Sequence, residues 1–533
     1  MKRLRMAALL LALSGCGNLD NGGGDGGEGA AAVQPSRVTP GELRAAATDP
    51  RLVRFYQARS WAPAWNADTA RTLTEAIGQA PRHGLDPRTF LGDAERAQTP
   101  AAREAALSLA ALAYAETLAR GRIDPRRVAE VYTVPRPNVD ATGGLNAAIE
   151  RGDVPGWLAS LAPQDPEYRA LSDAYVAASR QAAAQRSQPI GDGAAIRPGG
   201  SDPRMPAIAA ALRGQGYVPA EPQPQPQPQG QRQAQPQQPK AQASGNRYTP
   251  ELVAAVRRLQ GDFGLEPTGI IGAQTLAALN QGAFDRARTL AVNLERRRWL
   301  ARELPPTRID VNTAAAFLTY WRDGQVADRR RVVTGQPGNE TPELGSPMYR
   351  LVANPTWTVP ESIAEEEILP KGAGYMARNR MTTRNGRIVQ DAGPQNSLGL
   401  VKFDMRNDQA IYLHDTPAKA LFGQDERHRS HGCVRVQDAL GFAQLIAQHE
   451  GVLDDWMEAR SKDEASDEDY EEAFVPLPHE IPVRLMYQTA FLDGGRIRFR
   501  PDVYGWDESV AEALGLPARA RGTRPSHVSD VGP

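Results

Sequence analysis

The sequence AIYLHD, at residues 410–415, precedes a second distinctive stretch, SHGCVRV, at residues 430–436. Both contain short runs of β-branched and aromatic residues, which are typical of strands. His414 lies at the end of the first predicted strand, where a side chain can extend into a cleft. In the second stretch Gly432 precedes Cys433, and glycine lets the backbone approach the sulfur closely. These stretches predict a mainly β domain that presents a histidine and a cysteine.

The same character extends to both sides of these stretches. Residues 437–449 form the one clear helical run of the region. Residues 305–510 are therefore predicted to be a mainly β domain with a helix, followed by a tail at residues 511–533. The predicted strands, separated by Gly, Asn and Pro, lie at residues 317–321, 331–334, 351–352, 400–403, 410–413, 482–489 and 496–500.

The first half of the chain has helical character. Residues 105–118 are dense in Ala and Leu, which favour helices, and Gly121 and Pro125 are predicted to end that helix. Residues 39–200 are predicted to be a helical domain, and residues 201–284 a small unit of three helices. The predicted fold class of the chain is therefore multidomain α+β.

Low-complexity segments separate or interrupt these units. Residues 17–38 are rich in Gly and Ala and cannot bury enough apolar surface to fold, so they are predicted to form a flexible tether. Residues 221–246 alternate Pro and Gln at their centre, which favours extended polyproline II structure. The acidic run at residues 462–472 is predicted to be a solvated loop.

Composition narrows the class of protein. A length of 533 residues suggests about three domains. The 62 basic and 63 acidic residues nearly cancel, whereas a nucleic-acid-binding protein normally carries a basic excess or a basic face. No nucleic-acid partner is therefore predicted.

The N-terminus has the features of an export signal. Three basic residues precede the apolar run 6–13, which is too short to span a bilayer, and Cys16 follows Leu-Ser-Gly. This arrangement resembles the lipobox of bacterial lipoproteins. The resemblance implies a signal peptide at residues 1–16, lipidation of Cys16 and, since Gly17 is not Asp, a periplasmic protein anchored to the outer membrane. The alternatives are an ordinary cleaved signal and a disulfide between Cys16 and Cys433.

Cys433 is the strongest candidate for a reactive residue. A lone cysteine usually packs as a small hydrophobe, but polar neighbours precede this one. They are Arg427, His428, Arg429 and His431. Such neighbours lower the pKa of a thiol and favour the nucleophilic thiolate, and Gly432 would let main-chain N–H groups point at a developing oxyanion. Together with His414, Cys433 provides the minimal apparatus for thiol acyl transfer.

Metal binding is the alternative use of these side chains. His414, His431 and Cys433 could hold zinc with one position open. However, the spacing matches no zinc finger, and no second cysteine is available beside Cys433. Neither a metal nor another cofactor is therefore predicted.

Residues 310–510 resemble the YkuD-type catalytic domain of the L,D-transpeptidases, in which a histidine in a strand lies upstream of a Ser/Thr-His-Gly-Cys motif. The motifs especially resemble those of the large periplasmic subfamily of Gram-negative bacteria. They are Thr341-Pro342, residues 355–360 (PTWTVP), residues 396–399 (NSLG), residues 412–417 (YLHDTP) and residues 430–436 (SHGCVRV). The resemblance implies that Cys433 is the nucleophile and His414 the base. The candidate oxyanion and donor-pocket residues are Ser430, His431, Gly432, Asp415, Tyr412 and Arg435, the last of which replaces an asparagine found in many members.

Other regions resemble parts of the same subfamily. Residues 205–281 resemble a peptidoglycan-binding module of three helices, and residues 50–180 resemble the helical scaffold. Residues 361–395, a long polar stretch between strands, correspond to a lid over the active site. Peptidoglycan is therefore the partner that the resemblance implies.

The implied reaction is cysteine acyl transfer on tetrapeptide stems, which releases D-Ala and forms 3-3 crosslinks or attaches envelope lipoproteins, without a cofactor. One alternative uses water as the acceptor and gives an L,D-carboxypeptidase or a hydrolase of crosslinks. Another is a non-catalytic, peptidoglycan-tethering lipoprotein. The sequence does not predict which acyl acceptor is used, because acceptor preference depends on the shape of the cleft.

Overall fold

The computed structural model describes residues 38–184, 188–219, 245–461 and 470–519. Cys16, the predicted signal peptide and most of the predicted tether, Pro/Gln insert and tail lie outside these residues. The N-terminal region is helical, as predicted. Its helices are α1 (Pro40–Ala46), α2 (Pro50–Ala58), α3 (Ala67–Ile77), α4 (Arg88–Arg96), α5 (Pro100–Arg120), α6 (Ala141–Arg151), α7 (Val154–Leu161) and α8 (Pro166–Ala184).

Helix α5 contains the predicted run 105–118 and ends where the sequence indicated. Gly121 follows it with a φ of +82°, a backbone conformation that favours glycine. A Cβ atom at this position would lie 2.5 Å from Trp299, so the end of α5 can pack against that ring only because residue 121 is glycine.

A small unit of three helices follows, as predicted, with α9 (Met205–Gly214), α10 (Pro250–Asp262) and α11 (Ala273–Asn280). The amide of Gln260, in α10, holds the turn before α11. It donates to the carbonyl of Ile270 at 2.9 Å and accepts the N–H of Gly269 at 2.8 Å. Since Gln260 is buried, these bonds satisfy a polar side chain inside the unit.

Helix α12 (Ala283–Trp299) connects this unit to the rest of the chain and was not predicted. Arg298 and Glu295 are fully buried and form an ion pair at 2.6 Å. Arg296, also buried, pairs with Asp507 at 2.5 Å. The helix packs against α8, and these charged residues lie in the interior with partners.

The C-terminal region is the predicted β domain. Its strands are β1 (Arg308–Asn312), β2 (Phe317–Arg322), β3 (Gln325–Gly335), β4 (Leu344–Ala353), β5 (Trp357–Thr358), β6 (Met381–Arg384), β7 (Arg387–Gln390), β8 (Val401–Met405), β9 (Leu413–His414), β10 (His428–Ser430), β11 (Val434–Val436), β12 (Ala473–Met486), β13 (Ala490–Asp493) and β14 (Arg496–Phe499). Its helices are α13 (Glu361–Ile363), α14 (Ala373–Arg378), α15 (Ala439–Glu450), α16 (Leu453–Ser461) and α17 (Trp506–Ala513). The chain is thus a mixed α+β protein of several units, as predicted.

The main sheet has nine strands in the order β10-β3-β11-β9-β8-β4-β12-β1-β2. Strand β2 also pairs with β3, so the sheet closes on itself into a barrel-like form. Helix α15, predicted at residues 437–449, packs against it through Phe442, whose ring contacts Phe403 and Tyr320. This packing gives the strands that carry His414 and Cys433 a fixed support.

The 361–395 segment is more ordered than a long loop. It contains α13, α14 and the hairpin of β6 and β7, and β7 also pairs with β5. Side chains of the segment and of the residues on either side of it form a separate apolar cluster, against which Tyr412 packs. The cluster contains Trp357, Val359, Ala364, Ile368, Met381, Ile388 and Leu398. The segment is therefore a small folded element attached beside the sheet.

The β13–β14 hairpin joins the C-terminal region to the three-helix unit. Asp262, at the end of α10, is buried and forms ion pairs with Arg496 and Arg498 of β14. It also accepts a hydrogen bond from the hydroxyl of Tyr217 at 2.9 Å. Asp262 therefore ties the hairpin to the three-helix unit through two ion pairs. None of the helices within the described ranges is long and apolar enough to cross a membrane.

Candidate active site

Cys433 and His414 lie on adjacent strands of the closed sheet. Strands β9 and β11 run parallel, with Arg435 opposite His414 and Val434 opposite Leu413. The N–H of Val434 donates to the carbonyl of Tyr412 at 3.1 Å, so the pairing continues toward the cysteine. Because side chains alternate between faces and paired residues share a face, Cys433 and His414 project from the same side.

The Cys433 thiol is half-buried, with its Sγ 3.7 Å from the carbonyl oxygen of Ala410. Burial raises the pKa of this thiol above its ordinary value. Hydrogen bonds from the N–H and hydroxyl of Tyr412 and the charges of Lys402 and Arg435 lower the same pKa, but burial outweighs them. The surroundings of Cys433 therefore raise the pKa of its thiol overall, contrary to the expected thiolate-favouring environment.

The polar residues just upstream of the motif have other partners. The Arg427 guanidinium donates to the carbonyls of Val332 at 3.2 Å and Gln424 at 2.8 Å. His428 contacts the carbonyl of Thr313 at 3.0 Å through Nε2 and Glu426 at 2.9 Å through Nδ1. These residues hold β10 and its neighbouring loops together and do not polarise the sulfur.

The imidazole of His414 is neutral at neutral pH. It is buried, and burial together with the charges of Arg435 and Lys402 lowers its pKa to about 3. The ring of Tyr412 packs edge-on against it, with ring centroids 5.7 Å apart. Within the described residues, the Nδ1 atom of His414 has no hydrogen-bond partner. An uncharged imidazole beside a protonated thiol can accept a proton when the sulfur attacks.

The loop between Ser430 and Cys433 is held by its own hydrogen bonds. The hydroxyl of Ser430 donates to the carbonyl of Cys433 at 2.5 Å and accepts the N–H of Gly432 at 3.3 Å. Gly432 has a φ of +110°, which only glycine adopts easily. The N–H of Gly432 is directed at Ser430, and its φ shapes the turn that leads into Cys433.

A second layer of hydrogen bonds supports this loop from behind. The hydroxyl of Thr341 donates to the carbonyl of Gly432 at 2.8 Å and accepts the N–H of Gly335 at 2.8 Å. The hydroxyl of Tyr504 donates to the carbonyl of Gly335 at 2.7 Å and accepts the N–H of Thr341 at 3.3 Å. Thr341 belongs to one of the motifs quoted above, but no signal in the sequence pointed to Tyr504.

His431 connects the motif to the 361–395 segment. Its Nε2 atom lies 2.5 Å from Oε1 of Glu367, and both side chains are largely buried. The segment therefore contacts the residue two positions before Cys433 in the sequence.

Asp415, predicted as a pocket residue, does not face the thiol. Its carboxylate pairs with Lys419 and accepts the N–H of Leu400 at 3.1 Å. As the residue after His414, it projects from the opposite side of the strand. The Asp415 carboxylate packs against the turn at Gly399. A Cβ atom on residue 399 would lie 2.4 Å from that carboxylate.

The described ranges contain no group of three or more His, Cys, Asp and Glu side chains arranged to hold a metal ion. His431 is paired with Glu367, while His414 faces Tyr412. The zinc alternative therefore gains no support from the geometry.

Three family models match the chain. The L,D-transpeptidase catalytic domain (YkuD) matches residues 306–453, a scaffold domain matches residues 50–174, and a peptidoglycan-binding domain matches residues 238–279. A curated protein of Haemophilus influenzae, named provisionally as an L,D-transpeptidase, is 31% identical over 225 residues. That match covers 38% of this chain and 45% of the relative, so the chain spans less than half of the relative's length.

Solved structures of L,D-transpeptidases also align with the chain at low overall similarity. One from Xylanimonas cellulosilytica is 16% identical with a TM-score of 0.18, covering 55% of this chain and 98% of that one. One from Stackebrandtia nassauensis is 13% identical with a TM-score of 0.22, covering 58% and 100%.

Proposed function

We propose that the protein transfers acyl groups between peptidoglycan stem peptides through Cys433, on the basis of the L,D-transpeptidase catalytic-domain model that matches residues 306–453. The observation that carries the proposal is the pairing of β9 with β11, which sets the Cys433 thiol and a neutral His414 on one face of the sheet. A peptidoglycan-binding domain in the same chain supports the same polymer as substrate and an envelope location.

In the first half-reaction, His414 accepts the thiol proton as the sulfur attacks the carbonyl between the third residue of a tetrapeptide stem and its terminal D-Ala. The resulting imidazolium then gives this proton to the departing amine, and D-Ala leaves. A thioester on Cys433 remains. The side chain of Tyr412 lowers the pKa of the Cys433 thiol, and its hydroxyl is the proposed donor to the oxygen that becomes negative.

In the second half-reaction, an amine attacks the thioester while His414 takes a proton from it, and the thiol leaves with that proton. A side-chain amine on a second stem gives a 3-3 crosslink, and an amine on an envelope protein attaches that protein. Both outcomes use one site and need no cofactor. Water in place of the amine would give a carboxypeptidase or a hydrolase.

Purified protein incubated with a disaccharide-tetrapeptide and analysed by mass spectrometry tests the proposal. We expect a crosslinked dimer that has lost one D-Ala. If the product is tripeptide without dimer, the enzyme is a carboxypeptidase. If folded protein leaves the tetrapeptide intact, the protein binds peptidoglycan without catalysis. Adding free amines that resemble the stem peptide shows whether the dimer is absent because no acceptor is present or because no acyl-enzyme forms.

We also propose that the protein is an outer-membrane lipoprotein anchored through Cys16, on the basis of the lipobox-like sequence. A lipidated terminus with several acyl chains anchors a protein stably, whereas one chain binds only marginally. A Cys16→Ser variant is therefore expected to leave the membrane fraction after peptidoglycan has been digested. Retention of that variant in the outer-membrane fraction would contradict the anchor.

A further inference from the structure

The face that carries Cys433 and His414 continues across the sheet onto β8 and β4. Lys402 of β8 lies directly opposite His414, and in the next strand Val352 lies opposite Lys402. One step along the same face, Arg350 of β4 lies opposite Asp404 of β8. The catalytic face therefore carries two cations and one acid beside the candidate nucleophile.

These three charged side chains form a tight cluster. Asp404 is buried, and its two oxygens accept from Lys402 Nζ at 2.7 Å and from Arg350 Nε at 2.5 Å. Lys402 Nζ lies 4.4 Å from the ring centroid of Tyr412, and the Arg350 guanidinium lies 4.3 Å from that of Phe474. Asp404 pairs with both cations, and each cation also packs against an aromatic ring, so the positions of Lys402 and Arg350 are fixed. Two cations and one acid leave the cluster with one net positive charge.

The charge of Lys402 reaches the reacting groups. Together with Arg435 it lowers the pKa of both His414 and the Cys433 thiol. Lys402 and Arg435 both lie opposite His414, and Cys433 is two residues before Arg435. With strands about 4.8 Å apart and about 3.3 Å per residue, the Lys402 backbone lies roughly 12 Å from that of Cys433. Its side chain extends back over Tyr412, toward the sulfur.

We propose that Lys402, with Arg350 beside it, is an anion-binding subsite for a carboxylate on the donor peptide. The carboxylate belongs to the side chain of the residue whose carbonyl is attacked, because one extended side chain spans the distance from the sulfur to Lys402. This inference rests on the proposed acyl transfer. A Lys ammonium has three donors, and one of them on Asp404 leaves others for the ligand. Phe474 of β12, which is 50% exposed, lies opposite Val352 and continues the face beside Arg350.

The first experiment is independent of turnover. Cys433 is alkylated at one pH with iodoacetate and with iodoacetamide, which differ in charge, and the ratio of the two rates cancels the fraction of thiolate. We expect Lys402→Met to lower the iodoacetate-to-iodoacetamide ratio by about threefold or more at low salt. Lys402→Arg is expected to keep the ratio near that of the wild type.

The matched control is Arg406→Met. Arg406 also stacks on a ring, that of Tyr349 at 4.1 Å, and pairs with an acid, Glu480 at 2.6 Å, but it does not belong to the cluster. Its removal should leave the ratio unchanged. An unchanged ratio in Lys402→Met would overturn the subsite, and Arg350→Met provides a second test if Lys402→Met fails to fold.

The second experiment uses donor stems whose side-chain carboxylate is either free or amidated. We expect Lys402→Met to raise KM roughly tenfold for the free acid and little for the amide, because only the acid makes a charge-assisted hydrogen bond. An equal rise in KM for both stems would show that the cluster is a structural ion pair and not a binding subsite. Absence of turnover in the wild type would count against acyl transfer, while the alkylation ratio still decides the subsite.

Discussion

Replacing Cys433 with alanine is expected to abolish crosslinked and shortened products, with a loss of at least about a thousandfold in rate. The thiol is the sole group beside His414 that can form the covalent intermediate in the proposed mechanism. The fold should survive, since the side chain is half-buried and only one sulfur atom is removed. Mass spectrometry of the products and a thermal melt of the same sample measure the two effects.

Two controls make this result specific. Cys433→Ser keeps the size of the side chain but is expected to be almost as inactive, because His414, with a pKa of about 3, is a weak base for a hydroxyl. Binding of the tetrapeptide, measured by the shift it causes in the melting temperature, should persist in both variants. Product formation near the wild-type rate in Cys433→Ala would remove Cys433 from the mechanism.

The strand that ends at His414 could be predicted because it depends on a local pattern, a short run of β-branched and aromatic residues. Its pairing with the strand that follows Cys433 comes from the structure. The helical N-terminal region was equally readable, since Ala and Leu dominate α5 and Gly121 ends it. In each case, the pattern within one element determined the result.

The charged groups around the Cys433 thiol could not be predicted from local sequence patterns. Arg427 and His428 are close to Cys433 in sequence, yet they bind the carbonyls of Val332 in β3 and of Thr313 between β1 and β2. Lys402 is distant in sequence, yet it lies opposite His414 because β8 pairs with β9. Electrostatic effects depend on strand register, and register is set by the whole sheet.

Helix α12 was missed for a related physical reason. Arg296 and Arg298 suggest a solvated helix, because arginine is seldom buried without a partner. Their partners are Asp507, more than two hundred residues away, and Glu295 on the same helix. A buried ion pair between distant segments leaves no periodic signal in either segment.

His414→Ala is expected to lower the rate of acyl transfer by roughly 10²- to 10⁴-fold while leaving alkylation of Cys433 at high pH nearly unchanged. The pKa of the thiol is raised and that of His414 is lowered to about 3, so the resting pair is a neutral thiol and a neutral imidazole. Alkylation by iodoacetamide should therefore rise with pH and inflect above the pKa of an ordinary cysteine, with or without His414.

Acyl transfer should depend on pH differently, because it needs the neutral imidazole as a proton acceptor. A lowered pKa keeps His414 neutral down to about pH 3, so wild-type activity should persist below pH 6 until the protein itself unfolds or His414 gains a proton. Rates of D-Ala release and of iodoacetamide incorporation, measured across the same pH range for both proteins, give the comparison.

Lys419→Met, which changes a charge near Asp415 on the other side of the strand, controls for general electrostatic effects. An alkylation shoulder at acidic pH that disappears in His414→Ala would show instead that a thiolate–imidazolium pair already exists at rest, and equal acyl-transfer rates in the two proteins would remove His414 as the base.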